Sequence, residues 1–372
     1  MKCISTIIIL TGLMGYCACS QMRKTSVSIV GEDFYINDLI TLKGKTYQGV
    51  RLEGLLPNSR MVQGIFDDYN EETQHLWIYP DTKKWDADRN TNEFVNAMSN
   101  WKAHGLLAFT INLQGGSPFG YSSGSRQRWI NSAFKSDGSL DDRYVHRLEK
   151  ILDKADELGM VVILGYFYFG QDQNLNDEEA VQRAVRNATT WILDKGYRNV
   201  MIELNNECDI NDLANRSAVD PYDHAILDYR RVHELINLVK SIRRDDRRLL
   251  VSASFKGGAV PSDNVLESAD FVLIHGNGVH QAEGITSLIT AVRERPAYKA
   301  MPIVINEDDH FDFDKAENNF MAATRAHVSW GYFDYRMKDE KFEDGYQSVP
   351  VDWGMNADRK KAFFNLLKEM TK

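Results

Sequence analysis

Eight runs rich in Val, Ile, Leu and Phe recur along this chain, and they alternate with longer amphipathic segments. The runs cover residues 60–66, 106–113, 160–169, 200–205, 249–254, 271–276, 302–307 and 327–333. Near-continuous apolar residues, rather than strict alternation, are typical of strands in a parallel sheet that helices cover on both faces. Eight such units predict an α/β fold, and a (β/α)8 TIM barrel fits them better than an open doubly wound sheet.

Helical patterns separate these strands. They are predicted at residues 91–104, 140–158, 177–195, 222–243, 284–294, 315–326 and 357–370, with a weaker pattern over 255–270. Ahead of the first unit, residues 34–54 alternate and contain glycine turns, which predicts a small N-terminal β-hairpin that closes the bottom of the barrel. We therefore expect a linker and hairpin over residues 21–54 and the barrel over residues 55–372.

Composition and charge restrict the class of partner. The chain has 372 residues, of which 43% are hydrophobic, and it can bury a large core. Its net charge of −9 comes from scattered Asp and Glu, with only short basic clusters such as residues 243–248. This pattern argues against nucleic acid or an anionic membrane surface as a partner, and we expect a monomer.

The first 20 residues have the features of a bacterial secretion signal: Lys2, an apolar run over residues 4–14 and small residues that end at Cys19. The run is too short to span a membrane. Cys19 follows Ala18 as in a lipoprotein processing site, although Tyr16 stands where that pattern has Leu. The expected location is the periplasm or cell surface with a lipid anchor at Cys19. Plain export and a cytoplasmic location are the alternatives.

Two predicted strands end in a glutamate. In "RNVMIELNNECDIND", residues 198–212, an apolar strand breaks into polar residues at Glu207, and "PIVINEDD" repeats the pattern three strands later at Glu307. Barrel enzymes build their sites where strands emerge at the carboxyl face. A single glutamate at such a place is often the start of a solvated loop. Two of them, on strands 4 and 7, predict a carboxylate pair in one cleft.

These residues resemble the glycoside hydrolases of clan A, of which family 5 is a member. The Asn206-Glu207 pair is similar to the acid/base motif that ends strand 4 in that clan, and Glu307 stands at the nucleophile position on strand 7. The resemblance covers the architecture of about residues 55–372. The chain departs from it after Glu207, where Cys208 replaces a common proline.

The resemblance implies a retaining glycoside hydrolase that cleaves β-glycosidic bonds of an oligo- or polysaccharide. Glu207 would act as acid and then base, Glu307 as nucleophile, and Asn206 as the donor to the sugar 2-hydroxyl. No cofactor or metal is expected. Cys208, the only cysteine in the predicted folded domain, is expected to turn into the packing, since neighbours on an extended segment point to opposite sides.

Further candidates lie at other strand ends. His275 occupies the place where the clan has a residue that hydrogen-bonds the nucleophile, and Trp330 or Tyr332 could form the aromatic floor under the sugar. Each of these residues could instead serve the core alone. Other candidates for substrate contact are Tyr166, Tyr168, Asn112, Arg60 and Asp67.

Two functions of other classes stay open. One is a carbohydrate-binding barrel without catalysis, and the other is a metal-dependent hydrolase on the same fold. For a metal, the acidic stretch 307–314 lacks the glycine and terminal glutamate of an EF-hand loop. The histidines at 275, 280, 310 and 327 show no His-x-His or His-Glu-x-x-His spacing.

Overall fold

The structure, a computed structural model, describes residues 23–119, 127–212 and 220–372. The predicted signal segment, including Cys19, lies outside these residues. Within the described ranges, no helix has both the length and the apolar character needed to cross a membrane.

A small N-terminal unit precedes the barrel. It contains a three-stranded antiparallel sheet and a two-stranded hairpin, formed by β1 (Val27–Val30), β2 (Asp33–Ile36), β3 (Leu39–Ile40), β4 (Thr46–Tyr47) and β5 (Val50–Arg51). The barrel strands are β6 (Asn58–Arg60), β7 (Ala108–Asn112), β8 (Val161–Phe167), β9 (Val200–Asn205), β10 (Leu250–Ser252), β11 (Val272–His275), β12 (Ile303–Glu307) and β13 (Gly331–Phe333).

The barrel strands run parallel in chain order. One sheet has the order β10-β9-β8-β7-β6-β13, and β11 pairs with β12. Parallel bridges between Val304 and Ser329 and between Asp308 and Tyr332 join the β12 and β13 regions. The backbone amide of Asp270 donates to the Val251 carbonyl at 3.0 Å, which links β10 to the chain that enters β11. These links give a (β/α)8 barrel, as predicted.

Eight helices surround these strands within the described residues. They are α1 (Ala87–Ala103), α2 (Asp142–Leu158), α3 (Glu178–Asp194), α4 (Val232–Ser241), α5 (Asp263–Ser268), α6 (Ala282–Arg293), α7 (Asn319–Arg325) and α8 (Asp358–Thr371). Three of these helices begin after an aspartate that caps the first turn. The Asp86, Asp141 and Asp177 side chains each accept a backbone N–H in the first turn of α1, α2 and α3.

The observed elements correct the prediction at three places. The first barrel strand covers Asn58–Arg60, whereas residues 61–66, predicted as strand, are buried turns. Their side chains are buried although the backbone is not a strand. The apolar run that suggested a strand therefore reflects burial alone. The predicted helix 222–243 is a short 3-10 turn at Ala225–Leu227 followed by α4, and the weak segment 255–270 contains α5.

The N-terminal unit closes the barrel bottom, as predicted. Phe34 of β2 is fully buried and packs in a cluster with residues at the amino ends of the barrel strands. That cluster contains Leu56, Ala108, Val161, Ile163, Met201, Phe271, Leu273 and Val304.

The barrel interior changes from apolar to polar along the strands. Two residues beyond Met201 lies Glu203, and two residues beyond Leu273 lies His275. Because side chains alternate along a strand, residues two apart face the same side. The carboxyl end of the barrel is therefore lined by charged and polar groups above an apolar floor.

Candidate active site

Glu207 and Glu307 come together with His275 at the carboxyl end of the barrel. One ligand atom from each of the three lies within 4.8 Å of those of the other two. Glu207 is the second residue after β9, Glu307 ends β12, and His275 ends β11. A register shift between Ile274 and His275 pairs His275 with Glu307 rather than Asn306. This irregularity aims the Glu307 side chain toward the barrel centre.

The backbone at Glu207 is strained. Its φ of 49° lies in the left-handed region, which non-glycine residues seldom adopt. The Glu207 amide donates to the Ser254 hydroxyl at 3.0 Å, and the Cys208 amide donates to the Ser254 carbonyl at 2.9 Å. The Tyr222 hydroxyl donates to the Asn206 carbonyl at 2.5 Å. These bonds hold a conformation that is typical of functional sites.

Arg60, at the end of β6, connects the acidic groups. Its Nε lies 2.8 Å from Glu307 Oε2, and its Nη1 lies 3.4 Å from Glu203 Oε2. Nη2 donates to Asn206 Oδ1 at 2.6 Å. All five donors of a guanidinium point in fixed directions, so these contacts define the relative positions of three strand ends.

His275 lies between the carboxylates. Nδ1 is 3.2 Å from Glu207 Oε1 and 3.6 Å from Glu307 Oε2, and Nε2 is 3.9 Å from Glu203 Oε1. Burial by itself lowers the pKa of His275, but the negative charge of Glu307, Glu203 and Glu207 overcomes that effect and raises the pKa to about 10. These charges therefore favour the imidazolium form of His275 at neutral pH.

The carboxyl groups differ in environment. Burial acts to raise the pKa of Glu203, yet Arg60 and His275 outweigh it and lower the pKa to about 2. Burial raises the pKa of Glu307 above its ordinary value, and the charges of Arg60 and His275 oppose the rise. Asn277 Nδ2 also donates to Glu307 Oε1 at 2.9 Å. Glu307 thus accepts a hydrogen bond at Oε1 and forms an ion pair with Arg60 at Oε2.

Several predicted site residues lie at this cluster. Arg60, Asn206 and His275 are in direct contact with it, as described above. Tyr168 is buried with its hydroxyl 3.0 Å from Ser117 Oγ. Burial raises the pKa of Tyr168, and the nearby charge of Glu307 adds to the rise.

Asn112 lies in the barrel interior beside the cluster. The strand register aligns it with Gly165 and, through Gly165, with Glu203. A Cβ atom on Gly165 would lie 2.2 Å from Asn112 Oδ1, so the glycine leaves room for this amide. Asn112 and Glu203 therefore lie at the same level of the barrel, on the two strands that flank Gly165.

Three predicted aromatic residues lie elsewhere. The Trp330 and Tyr332 rings face the helical shell, since Trp330 stacks on Phe320 of α7 and Tyr332 stacks on Phe363 of α8. The Tyr166 hydroxyl lies 3.1 Å from Thr189 Oγ1 on α3. Strand alternation explains the correction, because the sequence shows an aromatic residue at a strand end but not its side of the sheet.

Asp67 is also outside the cluster. Its Oδ1 accepts from Trp85 Nε1 at 3.1 Å, and its Oδ2 lies 3.5 Å from Arg147 Nη2. The strand that was expected to end near Asp67 ends at Arg60 instead. The displacement moves Asp67 into the packing between the loop and α2.

Sequence reasoning missed Glu203, Asn277 and Phe333. Glu203 had a usable signal, a charged residue in the middle of the apolar strand "VMIELN". Phe333 alternates with Tyr332, and a Cβ on Gly331, on the same side, would lie 2.2 Å from the buried Asn58 Oδ1. Phe333 is thus the aromatic residue of β13 that faces inward. Asn277 had no signal beyond a polar loop.

Cys208 is fully buried, as predicted. Burial raises the pKa of its thiol well above the ordinary value, and the negative charge of Asp209 adds to the effect. The thiol therefore lacks the features of a reactive thiolate.

A second group of possible metal ligands lies on the loop after β12. Ligand atoms of Asp308, Asp309 and His310 lie within 4.8 Å of one another. His310 Nδ1 contacts Asp308 Oδ1 at 2.6 Å, and its Nε2 lies 3.3 Å from His280 Nδ1. Asp308 is already bonded to Trp330 and Asn319, which gives it a structural role.

The barrel, with a glutamate pair at its carboxyl end, defines the class of fold with which known proteins were compared. No protein-family model matches the sequence, and comparison with curated proteins also finds no match. Solved structures with the same fold do match. A glycoside hydrolase family 5 enzyme from Prevotella bryantii B14 is 12% identical with a TM-score of 0.53, and the match covers 85% of this chain and 95% of that one.

Two further structures are similar. The endo-1,4-β-mannanase from Rhizomucor miehei has a TM-score of 0.55 at 12% identity, with 93% of this chain and 99% of that chain covered. The β-glucosidase from Thermotoga maritima has a TM-score of 0.51 at 11% identity, with 87% and 98% covered. The predicted resemblance to clan A glycoside hydrolases is confirmed at the level of the fold.

Proposed function

We propose that this protein is a retaining glycoside hydrolase that cleaves β-glycosidic bonds in an oligo- or polysaccharide. The observation that carries the proposal is the approach of the Glu207 and Glu307 ligand oxygens to within 4.8 Å. Retaining enzymes hold their carboxyl groups about 5–5.5 Å apart, whereas inverting enzymes leave about 6.5–9.5 Å for a water molecule. The short separation favours a double displacement.

Glu307 is the nucleophile in this proposal. Arg60 Nε forms an ion pair with Glu307 Oε2 at 2.8 Å, and Asn277 Nδ2 donates to Oε1 at 2.9 Å. These donors stabilise the anion and fix its direction of attack. In the first step a Glu307 oxygen attacks the anomeric carbon, and the bond from that carbon to the leaving oxygen breaks.

Glu207 supplies the proton that the leaving oxygen takes up in this step. In the second step the Glu207 carboxylate removes a proton from water, and the water oxygen attacks the anomeric carbon and releases Glu307 from its ester. Because Asn206 Oδ1 accepts from Arg60, its Nδ2 group is the one that would donate to the sugar 2-hydroxyl. Phe333 is the ring best placed by strand direction to lie under the sugar.

The first experiment is a screen of aryl β-glycosides and β-linked polysaccharides with the wild-type protein and Glu307→Gln. Turnover by the wild type and its loss in Glu307→Gln would support the proposal. Asp334→Asn is a matched control, because Asp334 is a fully buried carboxyl paired with Arg359 on the outer side of the barrel. It should retain activity. Binding without turnover by the wild type would indicate the carbohydrate-binding alternative.

A leaving-group series then separates the two roles. Glu307→Ala should lose nearly all turnover on every substrate, since no other group forms the ester. Glu207→Ala should lose less on dinitrophenyl glycosides, which need no protonation, and azide should partly restore its turnover. Equal losses on good and poor leaving groups without azide rescue would reject these roles.

A metal-dependent hydrolase is the second candidate, because Glu207, His275 and Glu307 could all reach one ion. The positive charge of Arg60 at 2.8 Å from Glu307 opposes a cation there. Activity that survives dialysis against EDTA would support the two-glutamate mechanism. Loss with EDTA and recovery with Zn²⁺ would favour the metal.

We also propose that the protein is exported to the periplasm or cell surface and acts as a monomer. The support is the leader-like sequence of residues 1–20 and the acidic, well-distributed surface charge. Labelling with a radioactive fatty acid, compared between wild type and Cys19→Ser, tests whether Cys19 carries a lipid anchor. Light scattering of the purified chain tests the oligomeric state.

A further inference from the structure

Glu203 is a third buried carboxylate at this cluster, on β9 and four residues before Glu207. It is fully buried and faces two cations, with Arg60 Nη1 at 3.4 Å and His275 Nε2 at 3.9 Å. A carboxylate in the barrel interior is costly unless such charges compensate it. Its position in the network therefore needs a physical explanation beyond packing.

Both cations are shared between Glu203 and the proposed catalytic pair. Arg60 Nε contacts Glu307 at 2.8 Å, and His275 Nδ1 contacts Glu207 at 3.2 Å and Glu307 at 3.6 Å. Glu203 faces Nε2 of His275, whereas the pair faces Nδ1 of the same ring. On Arg60, Glu203 contacts Nη1 and Glu307 contacts Nε.

The protonation of the His275 imidazole depends on this arrangement. Only the imidazolium carries an N–H on both ring nitrogens, and each nitrogen of His275 faces a carboxylate. Among the described residues, Nε2 has no hydrogen-bond partner at standard geometry, so the charge of Glu203 is its nearest compensation. Without that charge, a buried imidazolium would lose one of its three supporting carboxylates.

We propose that Glu203 is a positioning residue for the glycosidase reaction, which keeps His275 protonated and holds Arg60 against Glu307. This inference rests on the proposed function for its catalytic consequence. The positioned His275 presents a fixed positive charge to both proposed catalytic glutamates, and the positioned Arg60 orients the Glu307 anion. Glu203 itself need not contact the substrate.

The proposal predicts a pH effect with a defined sign. The charged and titratable groups around His275 are Glu203 on β9, Glu207 after it, Glu307 on β12 and Arg60 on β6. Removal of one negative charge makes the imidazolium less stable, so His275 should lose its proton at a lower pH. The alkaline limb of kcat/KM should move in the same direction.

The test is Glu203→Gln in the full folded chain. We expect NMR of ¹⁵N-labelled histidine to show His275 as an imidazolium up to about pH 9–10 in the wild type and to deprotonate at least about one pH unit lower in the variant. We expect kcat to fall about 10–100-fold, with less change in KM. The control Asp334→Asn removes a buried carboxyl outside the cluster and should leave both pH curves unchanged.

A folded Glu203→Gln variant whose His275 titrates as in the wild type would overturn the proposal. If Glu203→Gln does not fold, Glu203→Asp supplies the measurement, because its shorter carboxylate keeps the charge but withdraws it from both cations. An unchanged His275 titration in Glu203→Asp would then count against the proposal. If no glycoside is hydrolysed but the His275 titration still shifts, the proposed function fails and the support of His275 by Glu203 stands.

Discussion

The Arg60 guanidinium lies 2.8 Å from Glu307 through Nε and donates to Asn206 through Nη2 at 2.6 Å. A residue at the end of the first barrel strand thus joins the ends of the fourth and the seventh. Because the guanidinium is planar and rigid, one side chain sets the spacing of groups that are far apart in the sequence. The geometry of the proposed site depends on this contact.

Arg60→Lys should lower kcat/KM by about 10²–10³-fold. Lysine retains the charge, but a single ammonium cannot contact Glu307, Glu203 and Asn206 in the observed directions. Steady-state kinetics on an aryl glycoside would measure the effect, with thermal unfolding as the check on folding. A variant that keeps wild-type kinetics would show that Arg60 serves only to balance charge.

The product should retain the anomeric configuration of the substrate. This follows from the approach of one oxygen each of Glu207 and Glu307 to within 4.8 Å, which is closer to the separation of about 5–5.5 Å in retaining enzymes than to the 6.5–9.5 Å or so of inverting ones. Proton NMR of the first product, recorded before mutarotation, measures the configuration. Inversion would require a wider separation of the carboxylates and would contradict the nucleophile role.

Cys208→Ala should keep most of its activity and lose about 1–2 kcal/mol of unfolding free energy. The thiol is fully buried beside the proposed acid and has a raised pKa, so it acts as a small apolar group. Activity after treatment with iodoacetamide should decline slowly or not at all. Rapid stoichiometric inactivation that substrate prevents would place the thiol in the site.

Trp330→Phe should reduce stability rather than substrate affinity. The indole N–H donates to the buried Asp308 carboxylate at 2.8 Å, and the loss of this bond should cost about 1–3 kcal/mol. KM should change less than about twofold, since the ring packs against α7 and α8. Trp191→Phe, on the outer part of α3, is the matched control. A large rise in KM would return Trp330 to the sugar-binding site.

The stability of the chain should depend on Lys360 at alkaline pH. Burial lowers the pKa of Lys360 to about 8 from 10.5. Between these values the unfolded chain binds the proton and the folded chain releases it, so the free energy of unfolding should rise with pH over this window, by about 3 kcal/mol at most. Denaturant unfolding at pH 7–10.5 should show the rise in the wild type and its loss in Lys360→Met. If the free energy of unfolding changes with pH in the same way in the wild type and in Lys360→Met, the prediction is wrong.

The order of strands and helices was predictable because it depends on local pattern. Continuous apolar runs such as residues 200–205 and 302–307 identified buried parallel strands nearly to the residue. The first strand was displaced, since buried turns over residues 61–66 have the same apolar composition as a strand. Composition reports burial, whereas hydrogen bonding to neighbours decides whether a buried segment is a strand.

The sequence by itself determined the barrel, the floor of apolar residues and the placement of Glu207 and Glu307 at strand ends. It could not determine which side of a strand an aromatic ring occupies, because a shift of one residue reverses every side chain. For this reason the sequence could not show that Trp330 faces the helices while Phe333 faces the barrel interior. Nor could it show that Arg60, Glu203 and His275 form one charge network. Arg60 and Glu203 are 143 positions apart, and Glu203 and His275 are on the separate strands β9 and β11. Only closure of the barrel brings these charges within a few ångströms, where burial makes their interaction strong.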